Sequence, residues 1–166
     1  MIAHKGFIQG SLINLMKVTS SSFKDREKIP EKFTADGQNV NPDLTISEIP
    51  KGTRSLVLIF DDPDAKRIAG YTWVHWVLFN IQTKAESVAI KENSTLGMPG
   101  QSTYNKPDYH GPDPPKGSGI HNYFFKIFAL DLELKLPSMA PLEKINEEMN
   151  GHILAKAEII TTYWRD

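Results

Sequence analysis

The chain has 166 residues, 40% of them hydrophobic and 23% charged, the balance of one globular domain that needs neither a metal nor a disulfide to hold it together. Nineteen Lys plus Arg against twenty Asp plus Glu leave a formal charge of −1, which supplies none of the counterion release that drives binding to a phosphate backbone, so nucleic acid is excluded as a partner class. The absence of cysteine removes a disulfide scaffold, a thiolate-held metal site and a cysteine nucleophile together.

In chain order, the first residues, Met1-Ile2-Ala3-His4-Lys5-Gly6, never gather the apolar core and cleavage site of a secretory signal, and the protein is expected in the cytoplasm as a single domain over residues 1–166. Residues 12–19 read as a loose strand followed by a turn at Ser20 to Ser22. Residues 43–47 alternate with period two between Asn41-Pro42 and Pro50-Lys51-Gly52, as a half-buried strand does. Residues 55–60 form a continuous aliphatic run, a strand buried on both faces that emerges into a polar loop, Asp61-Asp62-Pro63-Asp64. This run is far short of the roughly 20 residues needed to cross a bilayer, and no transmembrane segment is expected.

Residues 73–81 and 123–130 are too rich in aromatic and β-branched side chains for helices and read as central strands. Strict alternation puts His75 on one face with Trp73, Val77 and Phe79. Between them, residues 91–119 hold five prolines and five glycines and read as a long loop, of a length that is usually functional or disordered. One segment is strongly helical: residues 141–149 place Leu142, Ile145 and Met149 on one face, with Ser138 as a cap and Gly151 as the stop. Residues 155–164 return to the sheet as a last strand. The fold class is mainly β.

Three places carry candidate chemistry, each beside a plainer explanation. The acids Asp61, Asp62 and Asp64 end a buried strand, where Asp and Pro also favour an ordinary turn. His75 lies within an aromatic strand, where a satisfied core imidazole is the common finding. The stretch from Gly111 to Tyr123 combines the Pro114-Pro115 pair, glycines that let backbone approach a ligand, and His121 and Tyr123 on one face of a beginning strand. A rigid loop, bare N–H groups and paired ring donors suit a small anion site, and the plainer alternative is a rigid hairpin loop.

Asp62-Pro63-Asp64-Ala65, Trp73-Val74-His75 and the run Pro114-Pro115-Lys116-Gly117-Ser118-Gly119-Ile120-His121-Asn122-Tyr123 resemble, in order and spacing, the signature regions of the phosphatidylethanolamine-binding protein family, also called the Raf kinase inhibitor protein family. Residues 33–42 and 151–158 look like its bacterial and archaeal branch. The resemblance implies a large antiparallel sheet packed on a smaller one with one or two peripheral helices. It further implies that Asp62, His75, His121 and Tyr123 line a small surface cavity for phosphate, acetate or a phosphorylated headgroup. Trp73, Pro114 and Pro115 match its wall and rim, and Asp64 a position that holds the loops. A homodimer is implied, and relatives that inhibit kinases or proteases suggest a protein target. No cofactor and no metal are expected.

Two imidazoles and a phenol offer donors to an anion, and a carboxylate beside a histidine favours its charged, doubly donating form, so affinity is expected to fall as pH rises. The chain departs from the family at Lys66, where a proline is usual, and at Asp113, whose charge would penalise a dianion more than a monoanion or zwitterion. His110 is a candidate compensating charge. Three functions remain: a non-catalytic binding protein, a regulator of a kinase or protease acting through the 91–119 loop, and an enzyme. The enzyme would be a hydrolase using His75 and His121 as acid and base with Asp62 orienting them, or a metal-dependent one.

Overall fold

The computed structural model describes residues 14–166. At its centre is the aliphatic run, extended by two residues into β3 (Ser55–Asp62), in which all eight residues are buried. Such a strand needs neighbours on both edges and cover on both faces, and it has them. β4 (Trp73–Gln82) and β7 (His121–Leu130) flank it, β8 (Ile153–Tyr163) pairs beyond β7, and the two-residue β6 (Met98–Pro99) pairs beyond β4. All pairs in this five-stranded sheet are antiparallel. β1 (Lys17–Thr19), β2 (Leu44–Ser47) and β5 (Val88–Ile90) make a smaller antiparallel sheet.

The alternation of β3 and β7 divides the core in two. Leu56, Leu58, Phe60, Phe125 and Ile127 meet Val18, Leu44, Ile46 and Ile90 of the small sheet. Val57, Ile59, Val77 and Phe79 lie on the other face under Ile145 and Met149 of α2 (Leu142–Met149). This is the expected large sheet on a smaller one with peripheral helices.

Several local expectations are corrected. Of the first predicted strand only Lys17–Thr19 is paired, and Leu12 and Ile13 lie outside the described residues. β3 continues through Asp61 and Asp62 because both find partners in β4. The segment after it is no loose loop: a 3-10 turn over Pro63–Ala65 leads into a single helical turn, α1 (Lys66–Ala69), with Asp62 Oδ1 accepting from the Ala65 N–H at 3.0 Å as its cap. Lys66 therefore opens a helix. α2 follows Pro141 without a side-chain cap, so Ser138 does not serve as one, and the chain leaves it through Gly151 at φ 82°.

β4 breaks alternation twice. Leu56 pairs with Ile81 but Leu58 with Leu78, and Asn80 takes up the extra residue at φ 53° while its amide binds Leu134 N and O at 2.8 Å. Phe60 pairs with Trp76 but Asp61 with Val74, leaving His75 as the bulged residue. A bulge re-aims its side chain. His75 accordingly packs on Phe60 and Tyr123 of the inter-sheet core, not with Val77 and Phe79 beneath α2.

The 91–119 segment is irregular apart from β6, yet it is fastened. Tyr109 stacks on Phe60 at 5.6 Å, in line with Phe125 at 3.9 Å beyond, and its hydroxyl donates to Phe33 O at 2.7 Å. Gly111 N donates to Asn39 Oδ1 at 2.7 Å, and Ala35 N to Pro112 O at 3.0 Å. Gly111 lies against the Phe33 carbonyl so closely that a Cβ has no room. Gly111→Ala is expected to cost roughly 3 kcal/mol, as overpacking against backbone does, and to lower Tm by about 6–12 °C. Thermal unfolding measures it.

Candidate functional site

Where β3 ends and β7 begins, antiparallel pairing brings Asp62 and His121 together from 59 residues apart. Both are buried, at 3% and 1% exposure, and His121 Nδ1 lies 2.7 Å from Asp62 Oδ2. The other ring nitrogen, Nε2, lies 3.0 Å from Ser118 Oγ. Ser118 Oγ is also 2.7 Å from Pro115 O, a carbonyl that can only accept, so the single hydroxyl hydrogen goes there and Nε2–H donates to the serine oxygen. A further proton is then shared between Nδ1 and the carboxylate. Burial pushes the Asp62 pKa up, while the bond and charge of His121 and the Ala65 N–H oppose that rise.

Beside this pair is a cavity of about 250 Å³. Asp62, Trp73, Pro114, Pro115 and His121 line it, together with Ala65, Ile68 and Ala69 from the α1 segment, Tyr104 and Asp113. Among the described residues, neither lysine nor arginine does. Tyr123 and His75 stand behind the wall. Tyr123 is fully buried, and its hydroxyl has no hydrogen-bond partner. Burial, then the neighbouring Asp62, Tyr104 and Asp113, push its pKa up, so it keeps its O–H. The indole Nε1 of Trp73 is likewise buried without a partner.

His75 differs from its expected role. Its Nδ1 lies 2.9 Å from His110 O, which only accepts, so Nδ1 carries the hydrogen and Nε2 of the neutral ring is an acceptor. Burial lowers its pKa to about 3, more than the His110 and Gly111 carbonyls raise it. It is a neutral core imidazole at ordinary pH, and no carboxylate charges it. His110 stacks on Tyr104 at 3.8 Å and does not line the cavity. Asp64 ties the α1 segment to β7: its Oδ2 accepts from Asn122 N and Nδ2, both at 2.8 Å. Burial opposes ionisation there, but these bonds and Arg67 outweigh it and hold the carboxyl below its usual range. Asp61 points to the opposite face, where Lys126 donates to it at 2.7 Å.

The rim is stapled from the far end of the chain. Arg165 grips Asp36 with Nε at 2.7 Å and Nη2 at 2.6 Å, while Nη1 reaches Asp113 Oδ1 at 2.6 Å and Pro114 O at 3.1 Å. Tyr163 donates to Asp36 at 2.7 Å, and Gly117 N to Arg165 O at 3.0 Å. Tyr104, Ser118 and Arg165 were not foreseen. Tyr104 sits in a segment without periodicity, and Arg165 finds Asp36 across 129 residues. Ser118 was visible at i−3 from His121, a spacing that has meaning only once the turn between them is known.

The model for the phosphatidylethanolamine-binding protein family matches residues 19–164. A UPF0098 protein of Aquifex aeolicus is 42% identical over 158 residues, covering 92% of this chain and 90% of that protein. Among solved structures, a putative phosphatidylethanolamine-binding protein homologue from Chlamydia trachomatis superposes with a TM-score of 0.83 at 33% identity, covering 92% of this chain and 99% of that one. YbcL of E. coli, described as a member of the mammalian family, gives 0.81 at 27% identity, covering 91% and 99%. The chain belongs to the phosphatidylethanolamine-binding protein family.

The buried neutral His75 has a consequence for acid stability. With a folded pKa near 3 and an unfolded value near 6.5, its contribution is complete above about pH 6.5 and is lost as pH falls toward 3. His75→Asn keeps an N–H for the His110 carbonyl but cannot titrate. Between pH 7 and 4.5 the wild type is expected to lose about 2–3 kcal/mol more than this variant in urea unfolding; equal losses would contradict the assignment.

Proposed function

We propose that this chain is a non-catalytic binding protein whose cavity accepts a small anionic or phosphorylated group, free or on a phospholipid headgroup. What carries the proposal is the unpartnered donor Trp73 Nε1–H on the cavity wall beside the Asp62–His121 pair, with the buried Tyr123 O–H behind that wall. A buried donor without a partner costs roughly 1–3 kcal/mol. An indole nitrogen only donates, so a ligand must bring an acceptor, and a phosphate or carboxylate oxygen makes the stronger, charge-assisted bond. An anion beside Asp62, whose pKa burial already raises, favours the protonated carboxyl. Binding therefore takes up a proton and weakens as pH rises.

A second reading has one observation in its favour. Asp62, His121 and Ser118 are connected as in a serine nucleophile triad. It ranks lower because Ser118 gives its hydrogen to Pro115 O and His121 Nε2 donates to the serine, the reverse of what a general base requires. His75, uncharged and behind the wall, does not supply the second acid or base. Among the described residues, no three His, Asp or Glu side chains gather as a metal site, and no helix is long and apolar enough to cross a membrane. A cytoplasmic homodimer belongs to the proposal, as does a kinase or protease target at the fastened 91–119 segment.

Calorimetry with phosphate or phosphorylethanolamine at pH 6 tests the first reading. Tyr123→Phe removes one donor and keeps its ring, and Trp73→Phe removes the other and leaves a smaller aromatic ring in the wall. Trp73→Phe is expected to weaken binding about tenfold, the worth of a bond to a charged group. Tyr123→Phe is expected to leave the empty protein as stable as before, or more so by about 1 kcal/mol, because an orphaned hydroxyl is gone. Unchanged affinity in Trp73→Phe would refute the role of the indole donor, and labelling of Ser118 by a fluorophosphonate would favour the hydrolase.

A further inference from the structure

We propose that Asp113 is a specificity-determining residue that makes the cavity accept a singly charged anion in preference to a dianion. The inference rests on the anion-binding reading and adds a charge limit to it.

Two carboxyl groups line the cavity, Asp62 and Asp113. Asp62 is matched by His121 at 2.7 Å. Asp113 is matched less completely. Its partner Arg165, through Nη1 at 2.6 Å, is already committed to Asp36 by Nε and Nη2 at 2.7 and 2.6 Å. Two carboxylates thus share one guanidinium, and the triad keeps one net negative charge at the cavity edge. The remaining Nη1 contact, to Pro114 O at 3.1 Å, adds no charge. The field of Asp113 reaches inward, where it helps raise the pKa values of both Tyr104 and Tyr123.

Among the described residues, no lysine or arginine lines the cavity to cancel it. Lys66 and Arg67 are exposed and do not line the cavity, and Lys116, also exposed, acts on Asp36 from outside it. Asp64 is occupied with Asn122 and Arg67. A ligand with one negative charge can place it on the Trp73 donor. A second charge on the same group has no cation to meet. At a separation of about 6 Å and an effective dielectric constant of ~40, the extra repulsion corresponds to about tenfold in affinity.

The test compares dimethyl phosphate, a monoanion, with methyl phosphate, which is a dianion at pH 8 because its second pKa is near 6. Titration calorimetry at constant ionic strength is run on the wild type and Asp113→Asn, which keeps an oxygen for Arg165. Asp113→Ala is the second variant, and thermal unfolding verifies that each is folded. The wild type is expected to prefer the diester about tenfold, and both variants to lose most of that preference. Because the ratio is compared between proteins, any effect of the additional methyl group cancels. An identical ratio in all three proteins would overturn the role of Asp113 and leave anion binding intact. Absence of heat from both esters in every protein at pH 6 as well as at pH 8 would overturn the anion reading, and this inference with it.

Discussion

The site depends on one buried contact, the 2.7 Å bond between Asp62 and His121. It is possible only because β3 and β7 are adjacent and antiparallel, so that the end of one strand meets the start of the other. Breaking such a pair on one side leaves an uncompensated buried charge, which is strongly destabilising. The same carboxylate caps the 3-10 turn through its other oxygen, and the same imidazole meets Ser118 in the loop opposite. Asp62 and His121 thereby fix both walls of the cavity with the atoms that also give it polarity.

Around that pair, the structure separates rigidity from reactivity. The rim is held by groups whose bonding is complete: Asp64 on Asn122, Arg165 on Asp36 and Asp113, Tyr109 on Phe33. Trp73 Nε1 and Tyr123 Oη are left without partners. Buried donors in that state persist where the surroundings fix them, and they are the natural points for an external acceptor. Preorganised donors spare a ligand the cost of ordering its own site. The nucleophile connectivity of Ser118 has the opposite character, since its hydrogen is bound within its own turn.

The large features were legible because they follow from periodicity. Residues 56–60 are continuously apolar and form the heart of the strand covered on both faces, and Leu142, Ile145 and Met149 share a helix face that meets the sheet. The family motifs located the stretches from which the cavity is built, and Asp62, Trp73, Pro114, Pro115 and His121 do line it. The details that decide chemistry were not legible. The bulge at His75 turns that ring into the inter-sheet core, because strict alternation assumes a ladder without extra residues. Its neutrality follows from burial, which no spacing reveals. Arg165 acts across 129 residues on Asp36, and one-turn or two-residue elements such as α1 and β6 are too short to carry a period.

The most direct measurement uses the indole N–H signals of the three tryptophans, Trp73, Trp76 and Trp164, in a ¹H–¹⁵N spectrum. Dimethyl phosphate is titrated in, and Trp73→Phe assigns the peak of interest. A cavity that receives an anion on its orphaned donors predicts a saturable downfield shift of the Trp73 indole proton, with Trp76 and Trp164 unmoved. A Trp73 signal that stays in place at saturating ester, or three indoles that drift together without saturation, would contradict it.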